Sequence, residues 1–101
     1  MEKRKPSFAL DAIKAVCGDP LRLAITTTAA LSAAGLGFGR AEVAEVVRSI
    51  KRSHFQKSMT SFRDHRRWQD VYYVPWEGML LYLKFTDDAV TEFTMLSFKE
   101  Q

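Results

Sequence analysis

The chain has 101 residues, 47% of them hydrophobic and 27% charged, with a formal net charge of +3 at pH 7. That length accommodates one hydrophobic core and no second one, so a single domain over residues 1–101 is expected. The longest apolar-rich run, residues 29–38, is interrupted by Ser32, Gly35 and Gly37 and is too short for a bilayer, and the lone Cys17 has no partner for an intrachain disulfide.

MEKRKP opens the chain as a basic lead-in with no signal-type apolar core behind it, which points to the cytoplasm. Ser7 is a good N-cap for a helix carrying Leu10, Ile13 and Val16 or Cys17 on one face, and Gly18 stops it. Cys17 lies on the apolar side of that helix and reads as a buried thiol. Asp19-Pro20 is a turn, and the alternation of Leu21, Leu23 and Ile25 predicts a short strand. Thr26 or Thr27 caps an alanine-rich second helix ending near Gly35 and Gly37; neither glycine belongs to a phosphate-cradling motif, and a helix C-cap is the expected use. Val43, Val46, Val47 and Ile50 mark a third helix, with Glu42, Glu45, Arg48 and Lys51 on its wet side.

From His54 onward the hydrophobic period changes to two. Strands are predicted over residues 54–62, 68–74, 79–85 and 90–99, joined by short connections around Asp64-His65, residues 75–78 and Asp87-Asp88. Such neighbours pair antiparallel as a meander, and helices first with strands last predicts an α+β fold, about three helices on one face of the sheet. Met79, Leu81, Leu83 and Phe85 are expected under the helices together with Leu96 and Phe98, leaving Tyr82, Lys84 and Lys99 on the open side. Phe55, Lys57 and Met59 share one parity, as do Gln69, Val71 and Tyr73, and parity alone assigns neither set to core or solvent.

Charge is concentrated between Arg48 and Arg67, where seven cations face one acid, a net +6 that leaves −3 for the other 81 residues. Such a run suits a polyanion or a solubilising edge equally. His65 is the natural acid–base candidate by its ordinary pKa, although Asp64-His65 fits a turn as well; His54 reads as a surface residue at a strand entry. Phe62 and Trp68 read as packing, whereas Tyr72, Tyr73 or Trp76, where exposed, would stack unpaired bases. Asp87-Asp88 reads as a hairpin turn and not a magnesium site, and two histidines with one cysteine make no zinc site unless carboxylates join, so no cofactor is expected.

MEKRKP, FQKSMT, DHRRWQDVY, LYLK and LSFKE, in this order, closely resemble the MqsR family of bacterial toxins, small mRNA interferases of toxin–antitoxin pairs with a RelE-like fold. The resemblance implies catalytic roles for Lys57, Gln69, Tyr82 and Lys99, and RNA contacts at Met59, Arg63, His65, Arg66, Arg67 and Tyr73. It implies a single-stranded mRNA substrate, no metal, and growth arrest as the outcome. It also implies a cognate MqsA-type antitoxin that joins a zinc-binding region to a helix-turn-helix, with operator DNA touched only through that partner and no membrane involved. The chain departs from the family where Gln56 replaces an aromatic and Tyr73 an arginine, and residues 21–35 match only loosely.

Cleaving RNA without a metal uses the ribose 2′-hydroxyl as nucleophile and leaves a 2′,3′-cyclic phosphate and a 5′-hydroxyl. It needs a base at the 2′-oxygen, positive charge at the phosphoryl oxygens and an acid at the leaving oxygen. A lysine serves as base only where burial or a neighbouring cation depresses its pKa, which Lys57 near Lys99 would provide. Tyr82 suits the acid or a stacking role, and Gln69 suits orientation. A non-catalytic RNA-binding module and an antitoxin-docking regulatory subunit are the other readings of the same surface.

Overall fold

The computed structural model describes residues 1–101. The period-two segment folds into β2 (Phe55–Thr60), β3 (Trp68–Trp76), β4 (Met79–Asp88) and β5 (Glu92–Glu100), a meander in which each strand pairs antiparallel with the next. Glu77 and Gly78, with φ of 45° and 81°, form the two-residue link between β3 and β4, a turn whose two left-handed residues match the twist of the hairpin. Asp88 closes the next hairpin by accepting from the amides of Val90 (2.8 Å) and Thr91 (3.1 Å), the turn role expected of it.

A fifth strand comes from the opposite end of the chain. β1 (Glu2–Lys3) pairs antiparallel with β2, Glu2 opposite Met59 and Lys3 opposite Ser58, so the order across the sheet is β1-β2-β3-β4-β5. Glu2 and Lys3 of MEKRKP therefore form an edge strand, and the segment is not merely a basic lead-in. Two residues are too few to show a period.

Helices α1 (Leu10–Cys17), α2 (Thr27–Gly35) and α3 (Arg40–Arg48) cover one face, giving the α+β, RelE-like arrangement. Ile13, Val16 and Cys17 of α1, Ala29 and Ala33 of α2, and Val43, Val46 and Val47 of α3 pack with Tyr72, Val74, Leu81, Leu83, Phe85, Met95 and Phe98 of the sheet. Thr26 caps α2, its hydroxyl accepting from the Ala29 amide at 3.2 Å, and Gly37 (φ 91°) ends it as expected of a C-terminal glycine. Burial pushes the Cys17 thiol up to about 12, consistent with an inert core residue. No helix is long and apolar enough to cross a membrane.

Two expectations before the sheet are corrected. Leu21–Ile25 is not a strand: only Ile25 bridges the sheet, parallel to Met95, while Leu21 is almost wholly exposed. The short alternation there has no second ladder to join. Ser7 is not a helix cap either, since α1 starts at Leu10 behind Ala9. Ser7 docks on the sheet instead, its hydroxyl 2.7 Å from that of Ser58.

Two β-bulges decide which side chains face the helices. The β2–β3 register shifts between Phe55 and Lys57, with Gln56 as the extra residue, so Phe55 stays on the helix side against Tyr72 while Lys57 points to the open face. The β4–β5 register shifts between Lys84 and Phe85, and here Leu96 is extra. Met95 and Phe98 are consequently both buried in the core, and Leu96 lies on the open face near Gln69 and Thr86. This reverses the expected placement of Met95 and Leu96, because uninterrupted parity cannot foresee an inserted residue.

The N-terminal segment is fastened by Asp70, a fully buried carboxylate near the start of β3. Its oxygens accept from the backbone amides of Ser7 (3.1 Å) and Phe8 (3.0 Å), which turns the chain out of β1 and into α1. Hydrogen bonds to a charged acceptor are worth about 1.5–3 kcal/mol each, and removing the acceptor strands the donors. Asp70→Ala is expected to lose about 3 kcal/mol of stability, read as a lower urea midpoint with unchanged slope. A loss below about 1 kcal/mol would show that the segment is held by other contacts.

Candidate active site

Cross-strand partners share a face, so the register lays out the uncovered side of the sheet as rows. One row runs Glu2, Met59, Gln69, Thr86, Thr94; the next runs Lys57, Val71, Lys84, Ser97; the third runs Tyr73, Tyr82, Lys99. All four residues expected to be catalytic therefore stand on one face. Lys99 and Tyr82 are direct partners, with the Lys99 ammonium 4.9 Å from the centre of the Tyr82 ring. Tyr73 packs on the other side of Tyr82, ring centres 5.8 Å apart. Lys57 lies one row away and Gln69 one row further.

The lysines differ in their surroundings. Lys57 donates to Glu2 Oε1 at 3.0 Å, and this hydrogen-bonded carboxylate holds the Lys57 pKa above its ordinary value. The same contact lowers the Glu2 carboxyl. Lys57 is thus not the depressed lysine that proximity to Lys99 was expected to create; its dominant neighbour is an acid that the sequence offered no reason to place there.

Lys84, placed on the open side from parity but given no role, is the depressed one. It is half-buried on β4 and forms no ion pair. Burial lowers its pKa, and the charges of Lys99 and Lys57 add to the effect. The Tyr82 phenol is raised, chiefly by burial, with Lys57 pulling it the other way.

A cleft of about 450 Å³ opens beside these rows, lined by Met1, Glu2, Met59, Phe62, His65, Gln69 and Lys84 among others. Its volume falls at the lower end of the range for small-ligand sites. A second cleft of about 420 Å³, lined by Pro6, Phe8, Leu10, Arg52, Phe55 and Tyr72, holds none of the expected site residues. No group of three or more His, Cys, Asp or Glu side chains gathers anywhere in the molecule.

Of the residues expected to touch RNA, Met59 and His65 line the cleft and Tyr73 flanks Tyr82. Arg63 and Arg66 are exposed on the bend between β2 and β3, where Arg66 pairs with Asp64 at 3.4 Å. Arg67 turns towards β4 and donates to the Asp87 carbonyl, its charge already in part engaged. The basic run is divided: Arg48 donates to the Gly18 carbonyl at 2.6 Å, away from the open face, and Arg52 borders the second cleft.

Several aromatics also move. Phe62, expected to pack, is fully exposed at the rim of the first cleft, whereas Tyr72 is buried in the core and its phenol is pushed up to about 12 by desolvation. Trp68 packs under the Lys3 ammonium, 4.2 Å from its ring centre. His54 accepts from the Lys51 amide at 3.0 Å and caps the short 3₁₀ turn before β2. Gln56, at the position of an aromatic in the family pattern, sits in the bulge with its amide donating to the His54 carbonyl at 3.2 Å.

Glu2 and Lys84 are the charged residues of these rows that motif spacing did not single out. The one available signal was that Lys84 shares the parity of Tyr82; nothing local pointed to Glu2.

The arrangement brings three lysines, the Tyr82 phenol and the Gln69 amide onto one face, with Lys84 and Gln69 at the cleft. Its chemistry suits a phosphodiester, with charge neutralisation and proton donation on one surface.

Comparison with known proteins identifies a family. The family model described as motility quorum-sensing regulator, toxin of MqsA, matches residues 5–100. The mRNA interferase toxin MqsR of Escherichia coli (strain K12) is 35% identical over 101 residues, which is the whole of both chains. With a family match across almost its entire length and a curated relative aligned end to end, the chain belongs to the MqsR toxin family.

Proposed function

We propose that this protein is the toxin of a toxin–antitoxin pair, a metal-independent endoribonuclease that cuts single-stranded mRNA by 2′-hydroxyl attack and so halts translation and growth. The observation that carries the reading is the convergence of Lys57, Lys99 and Tyr82 on the one sheet face that no helix covers. The E. coli relative is an mRNA interferase, and full-length similarity to it supports the same activity here.

The roles follow from the environments. Lys57, kept protonated by Glu2, and Lys99, held over the Tyr82 ring, neutralise the charge that builds on the phosphoryl oxygens. Tyr82 retains its proton well above neutral pH and gives it to the departing 5′-oxygen. Gln69 cannot titrate and orients phosphate or base in the cleft. Met59, His65 and Tyr73 contact the nucleotides flanking the cut, and Arg63, Arg66 and Arg67 on the bend attract the backbone.

The family description names MqsA, which supports a cognate antitoxin for this chain. In this reading the partner carries the zinc-binding region and the helix-turn-helix, reads the operator DNA, and restrains the open face. The toxin acts in the cytoplasm as a single domain.

Incubating the pure protein with end-labelled mRNA and EDTA tests the activity directly. Specific cuts ending in 2′,3′-cyclic phosphate are expected, and Lys57→Ala or Lys99→Ala should slow them by about 10²–10³-fold without lowering the urea midpoint. Retardation of the RNA without any cutting would make the protein a binder. Glu2→Gln frees the Lys57 ammonium for phosphate, so affinity for an uncleavable 2′-deoxy strand should rise. The plot of log affinity against log salt should steepen by about 0.7, and an unchanged slope would mean that Glu2 does not occupy that cation.

A further inference from the structure

We propose that Lys84 is the base of the reaction, the group that removes the proton from the attacking 2′-hydroxyl. It is the half-buried, unpaired lysine at the edge of the cleft, carried by β4, which lies between the strands of Lys57 and Lys99. The inference rests on the ribonuclease reading and adds to it a residue for the one role that the other four leave empty.

Elimination among the lysines supports it. Lys57 is committed to Glu2, and that contact favours its charged form. Lys99 lies more exposed over the Tyr82 ring. Lys84 borders the same cleft as Gln69 and His65, and its strand neighbour two residues away is Tyr82, the proposed acid.

The charged and titratable groups that face it come from every strand. They are Glu2 on β1, Lys57 on β2, Tyr73 on β3, Tyr82 on β4 and Lys99 on β5, with His65 reaching in from the bend. The single carboxylate among them is already engaged by Lys57, so the net field on Lys84 is repulsive. Desolvation and that field act in the same direction, below the ordinary lysine value of 10.5.

The step balances without a co-reactant. The neutral Lys84 amine takes the 2′-hydroxyl proton, the 2′-oxygen bonds to phosphorus, and the bond from phosphorus to the 5′-oxygen breaks. The 5′-oxygen takes the Tyr82 proton, leaving a 2′,3′-cyclic phosphate, a 5′-hydroxyl, a Lys84 ammonium and a Tyr82 phenolate. Return of one proton from the ammonium to the phenolate through solvent resets the site.

The sign of the pH dependence follows. Only the unprotonated amine is active, so the single-turnover rate rises with pH until Lys84 has lost its proton, and the limb lies below the range of an ordinary lysine.

The test is single-turnover cleavage of a labelled RNA across neutral and alkaline pH by wild type, Lys84→Arg, Lys84→Met, Lys84→Ala and His65→Ala. Binding of the 2′-deoxy strand is measured in parallel. Arginine keeps the positive charge but cannot deprotonate. Lys84→Arg is therefore expected to bind like wild type, to lose about 10²–10⁴-fold in rate, and to lose the rising limb. Lys84→Met fills the same volume and carries the test if the arginine disturbs the fold; small primary amines should restore part of Lys84→Ala activity.

A Lys84→Arg enzyme with wild-type rate and profile would reduce Lys84 to a simple cation. A limb that survives in Lys84→Arg but vanishes in His65→Ala would give the base role to the imidazole. Both results overturn the assignment while leaving the ribonuclease intact, whereas a wild-type protein that never cuts RNA would remove both.

Discussion

An antiparallel strand sends successive side chains to opposite faces, and a sheet covered on one side turns that alternation into a strict sorting of core from surface. In this protein the sorting depends on two inserted residues. Without the bulge at Gln56, a strand that buries Phe55 would drive Lys57 beneath the helices; without the one at Leu96, Met95 and Phe98 could not both enter the core. Burying an unpaired ammonium costs several kcal/mol, so the register has little freedom once the bulges are in place. The site is assembled by backbone irregularity as much as by its side chains.

Three lysines of the same intrinsic chemistry acquire three behaviours on this face. An acid beside Lys57 favours its ammonium, an aromatic ring underlies Lys99, and burial with two like charges disfavours the ammonium of Lys84. The acid arrives from a strand at the far end of the chain, and that strand continues into the segment fastened by Asp70. The buried Asp70 carboxylate and the open-face Lys57 ammonium are thus joined by one short N-terminal segment. The link is mechanical, a matter of where the chain is tied down.

Much of the architecture was legible in the residues. The helical spacing of Val43, Val46, Val47 and Ile50, the change of period at His54 and the turn residues at Gly78 and Asp88 all correspond to observed elements. The five collinear motifs indicated the family, and the parity of β4 placed Tyr82 and Lys84 together. What escaped is non-local. A two-residue edge strand has no periodicity of its own, and its existence depends on β2 being there to pair with. Bulges shift parity without a distinctive residue type. Phe62 looked like packing because aromatics usually are, yet it lies on a bend with no element above it. The pairing of Glu2 with Lys57 spans 55 positions of sequence, beyond any local pattern.

The arrangement of Leu83 and Lys84 has a wider consequence. These neighbours in the chain belong to opposite sides of one sheet, the first sealed in the core and the second at the cleft. Their side chains meet different neighbours, Leu83 the core cluster and Lys84 the lining of the cleft. Substitutions at Lys84 can therefore reshape the open face while the core layer stays in place a single peptide bond away.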